Sequence, residues 1–207
     1  MEVDGLSYSS EQSKSRILAC AQQEFLDNGF EKANLRRIAD DAHVTTGALY
    51  NYFSGKDALF DALVADTAEE FFTQFRARRE AAARTLAAGE TTVRSDFQKG
   101  GSEWTVEYIY RHFPTMKLLL CCAGGTKWEN YLERFTALEE SAHKKYFQEV
   151  TPPLEIPSDF FFHCTAAAGF QFLAHIVEHD LSRDEALRAM EEEDRFRAAG
   201  WRELMGQ

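Results

Sequence analysis

The sequence predicts an all-α protein in which an N-terminal three-helix domain with a helix-turn-helix joins a larger helical domain. Three observations predict this. Apolar residues recur at three- and four-residue spacing along most of the chain, and no segment alternates apolar with polar residues as a half-buried strand would. Residues that start helices (Asn, Thr, Ser) and residues that stop them (Gly, Pro) bracket these segments at helical lengths. Residues 34–53 carry the pattern of two very short helices around a tight turn.

In order along the chain, residues 1–10, MEVDGLSYSS, are polar and acidic and read as a flexible arm without a signal-peptide pattern. The N-terminal domain is expected over 11–72 and the second over 73–207. Helix one is expected from Glu11 to Asp27, with Ile17, Leu18, Ala21 and Phe25 as its inward stripe and Asn28-Gly29 as its stop. Asn34 then caps a short helix whose apolar face is Ile38, Ala39 and Ala42, and Val44 fills the turn. Thr45 caps a second short helix with Leu49, Tyr52 and Phe53 inward. Its outer face lacks the long charged residues of a solvated helix, which suits a helix that enters a DNA major groove. Ser54 and Asp57 have the spacing of a capping box for a long helix from Asp57 to about Leu86.

From Ser15 to Leu63 the chain resembles the DNA-binding domain of the TetR family of transcriptional regulators. The segments RILACAQQEFLDNGF and LRRIADDAHVTTGALYNYFSGKDALFDAL carry the likeness, in the family's order and spacing. Two positions depart from the family pattern: His43 stands where glycine is usual in the turn, and Ala33-Asn34-Leu35 replaces a threonine pair at the helix entry. The resemblance implies DNA contacts at Arg36, Thr45, Thr46, Gly47, Ala48, Tyr50, Asn51, Tyr52 and Lys56. Gly47 would let the backbone approach the bases, Thr46 and Ala48 would offer methyl groups to thymine, and Asn51 would bond adenine. Tyr50, Tyr52, Arg36 and Lys56 would hold phosphates.

The second domain is helical in pattern but individual. Ala87-Ala88-Gly89 interrupts the long helix, and Thr91 to Phe113 follows with Gly100-Gly101 as a possible bend. Pro114 opens the short apolar MKLLLCC segment, and Thr126 caps an amphipathic helix through Trp128, Tyr131, Leu132 and Phe135. Thr151-Pro152-Pro153 breaks the chain, and Ser158 caps DFFFHCTAAAGFQFLAHIVEH. That helix is apolar around most of its circumference and must be covered on nearly all sides. The resemblance implies that the last two helices, about 158–179 and 183–205, meet a second copy across a two-fold axis, with Gly200-Trp201 matching the family's common ending. It also implies a pocket for a small-molecule effector, for which Trp104, Tyr108, Phe113, Trp128 and Tyr131 are the candidate lining residues.

Charge limits these readings. The chain carries a formal charge of −11. Residues 1–56 hold six basic and eight acidic side chains, whereas Lys32 to Lys56 hold four basic and two acidic, so the acidity lies mostly away from the expected DNA face. An acidic body suppresses non-specific adhesion to nucleic acid. Cys20, Cys121, Cys122 and Cys164 have neither disulfide nor zinc spacing and read as small buried hydrophobes. His175, Glu178 and His179 spell H-x-x-E-H, yet no third ligand beyond that helix is apparent, so no metal is expected. No phosphate loop and no nucleophile elbow is present, so neither an enzyme nor a cofactor is expected. No run of apolar residues approaches the ~20 that span a bilayer, and a cytoplasmic location is expected.

The function expected is a homodimeric, ligand-responsive regulator, a repressor released from a palindromic operator in double-stranded DNA by a small molecule. The alternative is a small-molecule binding protein of the same fold with weak or lost DNA binding.

Overall fold

The computed structural model describes the backbone of residues 3–87, 93–149 and 155–204. Among the described residues every regular element is a helix. The chain divides into two compact units: Met1–Glu69 with Phe113–Glu129, and Glu70–His112 with Asn130–Gln207. Residues 113–129, which the sequence assigned to the second domain, thus group with the first unit.

In the first unit, α1 spans Val3–Lys32 and takes in most of the stretch expected as an arm. It breaks at Gly29, whose φ of 68° is a left-handed conformation that glycine adopts without steric cost. The break turns Phe30 back under the helix, where its ring meets Phe60 at 5.5 Å and Phe25 at 5.9 Å. Helices α2 (Leu35–Asp41) and α3 (Thr46–Tyr52) follow, and α4 runs Lys56–Ala87. The first turn of α4 closes with the Leu59 amide donating to the Gly55 carbonyl. Gly55 therefore holds the cap position, one residue later than the Ser54 capping box expected. Helix α6 (Phe113–Cys121) packs on α1, burying Met116, Leu118 and Leu119. The Phe30 amide donates to the Cys122 carbonyl at 3.0 Å and ties this helix to the break in α1.

The second unit holds the later turns of α4 with α5 (Val93–Arg111), α7 (Glu133–Glu149), α8 (Asp159–Glu178) and α9 (Arg183–Leu204). Gly100 and Gly101 lie inside α5, which continues through them. Helix α7 begins at Glu133, later than the helix expected from Thr126. Residues 126–132 instead form turns, with the Thr126 hydroxyl bound to the Ala123 carbonyl and to the Trp128 amide. Ser158 caps α8 as expected, accepting from the Phe161 amide at 3.2 Å. The expected breaks at Ala88-Gly89 and Thr151-Pro152-Pro153, and the helix end at Met205, lie outside the described residues.

Helix α8 is the one described helix long and apolar enough, by length and composition, to cross a membrane. Phe162, Ala166, Leu173, Ile176 and Val177 are buried within the unit, mainly against α7. The opposite stripe is open: Phe160 is 77% exposed, and Cys164 and Ala168 follow at helical spacing. On α9, Trp201 turns inward against Phe147 and Phe162, whereas Phe196 is 80% exposed. The four cysteines are free and none is fully buried; Cys121 and Cys164 are exposed, at a helix end and on an outer helix face.

Candidate nucleic-acid interface and a charged cavity

The helix-turn-helix is fixed by polar contacts at each junction. Asn34 Oδ1 accepts from the amides of Arg36 at 2.9 Å and Arg37 at 3.4 Å, satisfying two otherwise unpaired donors of α2. Glu24, buried on α1, accepts from the Asn34 amide at 3.0 Å and pairs with Arg37 at 3.4 Å. Sequence reasoning missed this carboxylate; its register three residues after Ala21, beside Phe25, was the available signal. The turn passes through His43 at φ 54°, the left-handed geometry in which glycine is usual. The Val44 amide then bonds the Ala39 carbonyl at 2.9 Å, and Thr45 Oγ1 accepts from the Ala48 amide at 3.0 Å to start α3.

Leu49 and Phe53 are buried, and Tyr52 is half-buried. That orientation turns Gly47, Tyr50 and Asn51 outward, with Thr45 exposed at the cap and Thr46 and Ala48 half-buried beside them. Gly47 has no reason within the chain to be glycine. A Cβ there would meet only Thr45 Oγ1, at 3.9 Å. Glycine in a helix costs roughly 0.5–1 kcal/mol relative to alanine, a cost that no close contact to its missing side chain explains. Arg36 is exposed and forms no ion pair among the described residues. Lys56 is placed differently. Its ammonium donates to the carbonyls of Glu31 at 2.9 Å and Ala33 at 3.3 Å and lies 4.7 Å from the centre of the Phe30 ring.

The second unit contains a cavity of about 140 Å³ between its helices. Apolar side chains Phe75, Phe170, Leu173 and Met190 face it. So do Arg79, Glu139, Glu193, Asp194 and Arg197. Arg79 makes a very short hydrogen bond to Glu139. Arg197 lies 3.6 Å from Glu193 and donates to the Thr165 carbonyl at 2.9 Å. Asp194 accepts from the Ser102 hydroxyl at 3.0 Å. Burial raises the pKa of Glu139, Glu193 and Asp194, with the guanidiniums only partly offsetting it.

The five aromatic residues expected to line a pocket do not line this cavity. Trp104 and Tyr108 stack on Phe71 at 5.6 and 4.9 Å, and Tyr131 packs edge-on to Phe135 at 5.1 Å. Phe113 and Trp128 belong to the first unit, where the Trp128 indole donates to Asp61 at 2.9 Å. Aromatic residues at helical spacing are here packing residues, and the cavity is lined by charges that the sequence keeps far apart. His175, Glu178 and His179 do come together, with ligand atoms within 4.8 Å of one another, all exposed. His175 Nδ1 is already 2.9 Å from Glu178.

Comparison with known proteins places this geometry. Residues 17–63 match the family model of bacterial regulatory proteins, tetR family. The HTH-type transcriptional regulator UidR of Escherichia coli K12 is 30% identical over 74 residues, 36% of this chain and 38% of that protein. The match to this curated relative therefore spans well under half of its length. Over nearly the whole chain the fold is shared with solved structures. SCO3833 of Streptomyces coelicolor, a TetR regulator family member, superposes with a TM-score of 0.59 at 20% identity, covering 86% of this chain and 87% of that one. FadR of Bacillus subtilis, a transcriptional regulator solved with stearoyl-CoA, gives 0.52 at 14% identity, covering 85% and 96%.

Proposed function

For a chain that belongs to the TetR family through residues 17–63, we propose the function of a DNA-binding transcriptional regulator, acting as a homodimeric repressor released from a palindromic operator by a small molecule. The observation that carries DNA binding is the outward face of α3. Asn51 stands exposed beside Gly47, whose missing side chain nothing in the chain explains, and Arg36 is exposed on α2. A phosphate near Arg36 would offset the unfavourable position of a cation in the first turn of a helix. The test is selection of bound sequences from random DNA, followed by gel shifts with Asn51→Ala. Affinity for the selected site should fall by ~1–3 kcal/mol and affinity for random DNA should change little. Equal loss on both would show that Asn51 does not read a base.

The homodimer reading rests on the open stripe Phe160, Cys164 and Ala168 of α8 together with Phe196 of α9. Gly200 of α9 adds open space, since a Cβ there would meet nothing within 4 Å. Ala168→Arg would put a long charged side chain into a close helix crossing, and light scattering should then report monomer.

The effector reading rests on the cavity of the second unit and on FadR, whose structure of the same fold holds stearoyl-CoA. Helix α4 gives its first turns to one unit and its later turns to the other without a break, which supports a switch that acts through this helix. The second reading, a binding protein with weak or lost DNA affinity, is favoured by the engagement of Lys56 with its own unit's carbonyls. The same selection experiment separates the two.

A further inference from the structure

We propose that the cavity of the second unit is a binding site for a small organic cation, a protonated amine with a short aryl or alkyl group, whose ammonium is received by Asp194 and Glu193. The proposal rests on the reading of this unit as the effector-binding part of the chain, and it names the ligand class.

The charge inventory is the first argument. Three carboxylates face the cavity against two guanidiniums. Both guanidiniums are committed: Arg79 to Glu139, and Arg197 to Glu193 and the Thr165 carbonyl. Arg197 lies across Gly169, where a Cβ would come 2.3 Å from its Nη1. The glycine opens the face of α8 so that the guanidinium can lie across it. Asp194 accepts a hydrogen bond from the Ser102 hydroxyl at 3.0 Å and feels Arg197, whose own bonds go elsewhere, only through space. A half-buried carboxylate whose direct partner is a neutral hydroxyl gains from a cation that reaches it.

Sign and shape then select the ligand. An anion would enter against three carboxyl groups held by two guanidiniums, and a neutral molecule would leave their burial cost unchanged. A cation favours the ionised form of these carboxyl groups and can gain attraction from the rings of Phe75 and Phe170. Leu173 and Met190 supply the apolar wall for the rest of the molecule. The cavity, about 140 Å³, is close to a site that holds one benzene ring, which suits a ligand group of roughly six to ten non-hydrogen atoms.

The test is titration calorimetry on the full chain at pH 8. The probes are benzylamine, phenethylamine, cyclohexylamine and butylamine, with phenethyl alcohol and phenylacetate as neutral and anionic matches. At least one amine should bind about tenfold or more tightly than its alcohol match, with phenylacetate weaker still. Asp194→Asn keeps the shape and the bond to Ser102, and should weaken the amine about tenfold or more. Met190→Phe keeps every charge, fills the cavity, and should abolish binding in a folded chain. The proposal is overturned if phenylacetate binds as tightly as the amines, if none of the four amines binds at millimolar concentration, or if both variants bind like the parent. Gel shifts with the same amine separate this from the effector reading. Binding that leaves DNA affinity unchanged would support the cation site and overturn the amine as an effector.

Discussion

The two units bury polar chemistry in different ways. In the first, the buried carboxylate of Glu24 is spent on the chain itself, accepting from the Asn34 amide and pairing with Arg37. It stands at a junction and fixes how α2 leaves α1. In the second, the buried carboxylate of Glu139 faces Arg79 at the wall of a cavity that also exposes Glu193, Asp194 and Arg197. Charge used as a latch leaves nothing to be gained from a ligand. Charge held beside open volume does. This difference supports the proposal that the first unit presents one face and the second takes a ligand.

The largest effect that sharpens this contrast is expected in the apolar core of the first unit. Phe60 is fully buried, with its ring 5.1 Å from Phe25 and 5.5 Å from Phe30. Phe60→Ala should cost ~3–5 kcal/mol in urea unfolding, since the packed rings cannot collapse onto the space left. A loss below about 1 kcal/mol would mean that the aromatic cluster is not what holds this unit together.

In the second unit the informative change is to a charge. Arg79→Met strands the Glu139 carboxylate. Removing one partner of a buried pair costs ~3–5 kcal/mol, but the Arg79 side chain is 31% exposed, so about 2 kcal/mol is expected. Adding Glu139→Leu should restore most of that loss, because two apolar side chains replace the pair without an uncompensated charge. Urea unfolding of the single and double variants checks this. If the double variant is the less stable one, the pair is a net stabiliser and the comparison between the units fails.

How much was legible in the sequence follows the same division. The caps at Asn34, Thr45 and Ser158, the positive φ at His43 and the break at Gly29 all depend on residues within a turn of each other, and each was readable. The pairs Arg79–Glu139 and Ser102–Asp194, and the fit of Arg197 against Gly169, join positions that are distant in the chain, and none was. Trp128 misled because its spacing suits a helix, whereas it sits in a turn and bonds Asp61. Lys56 was legible as a residue at the start of the long helix, but the carbonyls it holds were invisible until Gly29 turned Phe30 to Ala33 toward it.

That engagement gives Lys56 a measurable second role. Lys56→Ala removes charge-assisted bonds to two carbonyls that are partly open to water, so about 1 kcal/mol of stability should be lost with DNA affinity. Arg36→Ala should stay within about 0.5 kcal/mol of the parent in stability while flattening the salt dependence of DNA binding by roughly one unit of slope per contact. Thermal unfolding and salt-series gel shifts read the two separately. Should Lys56→Ala leave stability untouched, its contacts with the α1–α2 junction carry no weight and it acts on DNA alone.

The smallest effect expected is on pH, and it should differ in sign between the units. Among the described residues, the carboxylates with raised pKa are Glu139, Glu193 and Asp194, all at the cavity and all shifted chiefly by burial. A carboxyl whose folded pKa lies above its unfolded value lends stability below that unfolded value, and the contribution is lost as pH rises through the folded one. The second unit should therefore weaken as pH climbs above the ordinary carboxyl values of 3.8 and 4.5 toward neutrality. The first unit contains the opposite case. Burial would raise Asp61, but the hydrogen bonds from Lys127 and Trp128 outweigh it and hold the pKa below 3.8. Its contribution is present at neutral pH and is lost only on acidification through that lowered value. Paired carboxylates in the second unit, Glu107, Glu140 and Glu185, are also lowered, but they lie at least partly open to water and are screened, so they add little. Amide hydrogen exchange resolved by segment, at pH 5 and pH 7 and corrected for intrinsic rates, checks this. Protection over α7 and α9 should fall relative to α1 and α2 as pH rises, and saturation with a cavity-binding amine should remove the difference. If α7 and α9 gain protection at pH 7, the cavity carboxylates are already neutralised within the chain, and the contrast between latch and open charge disappears.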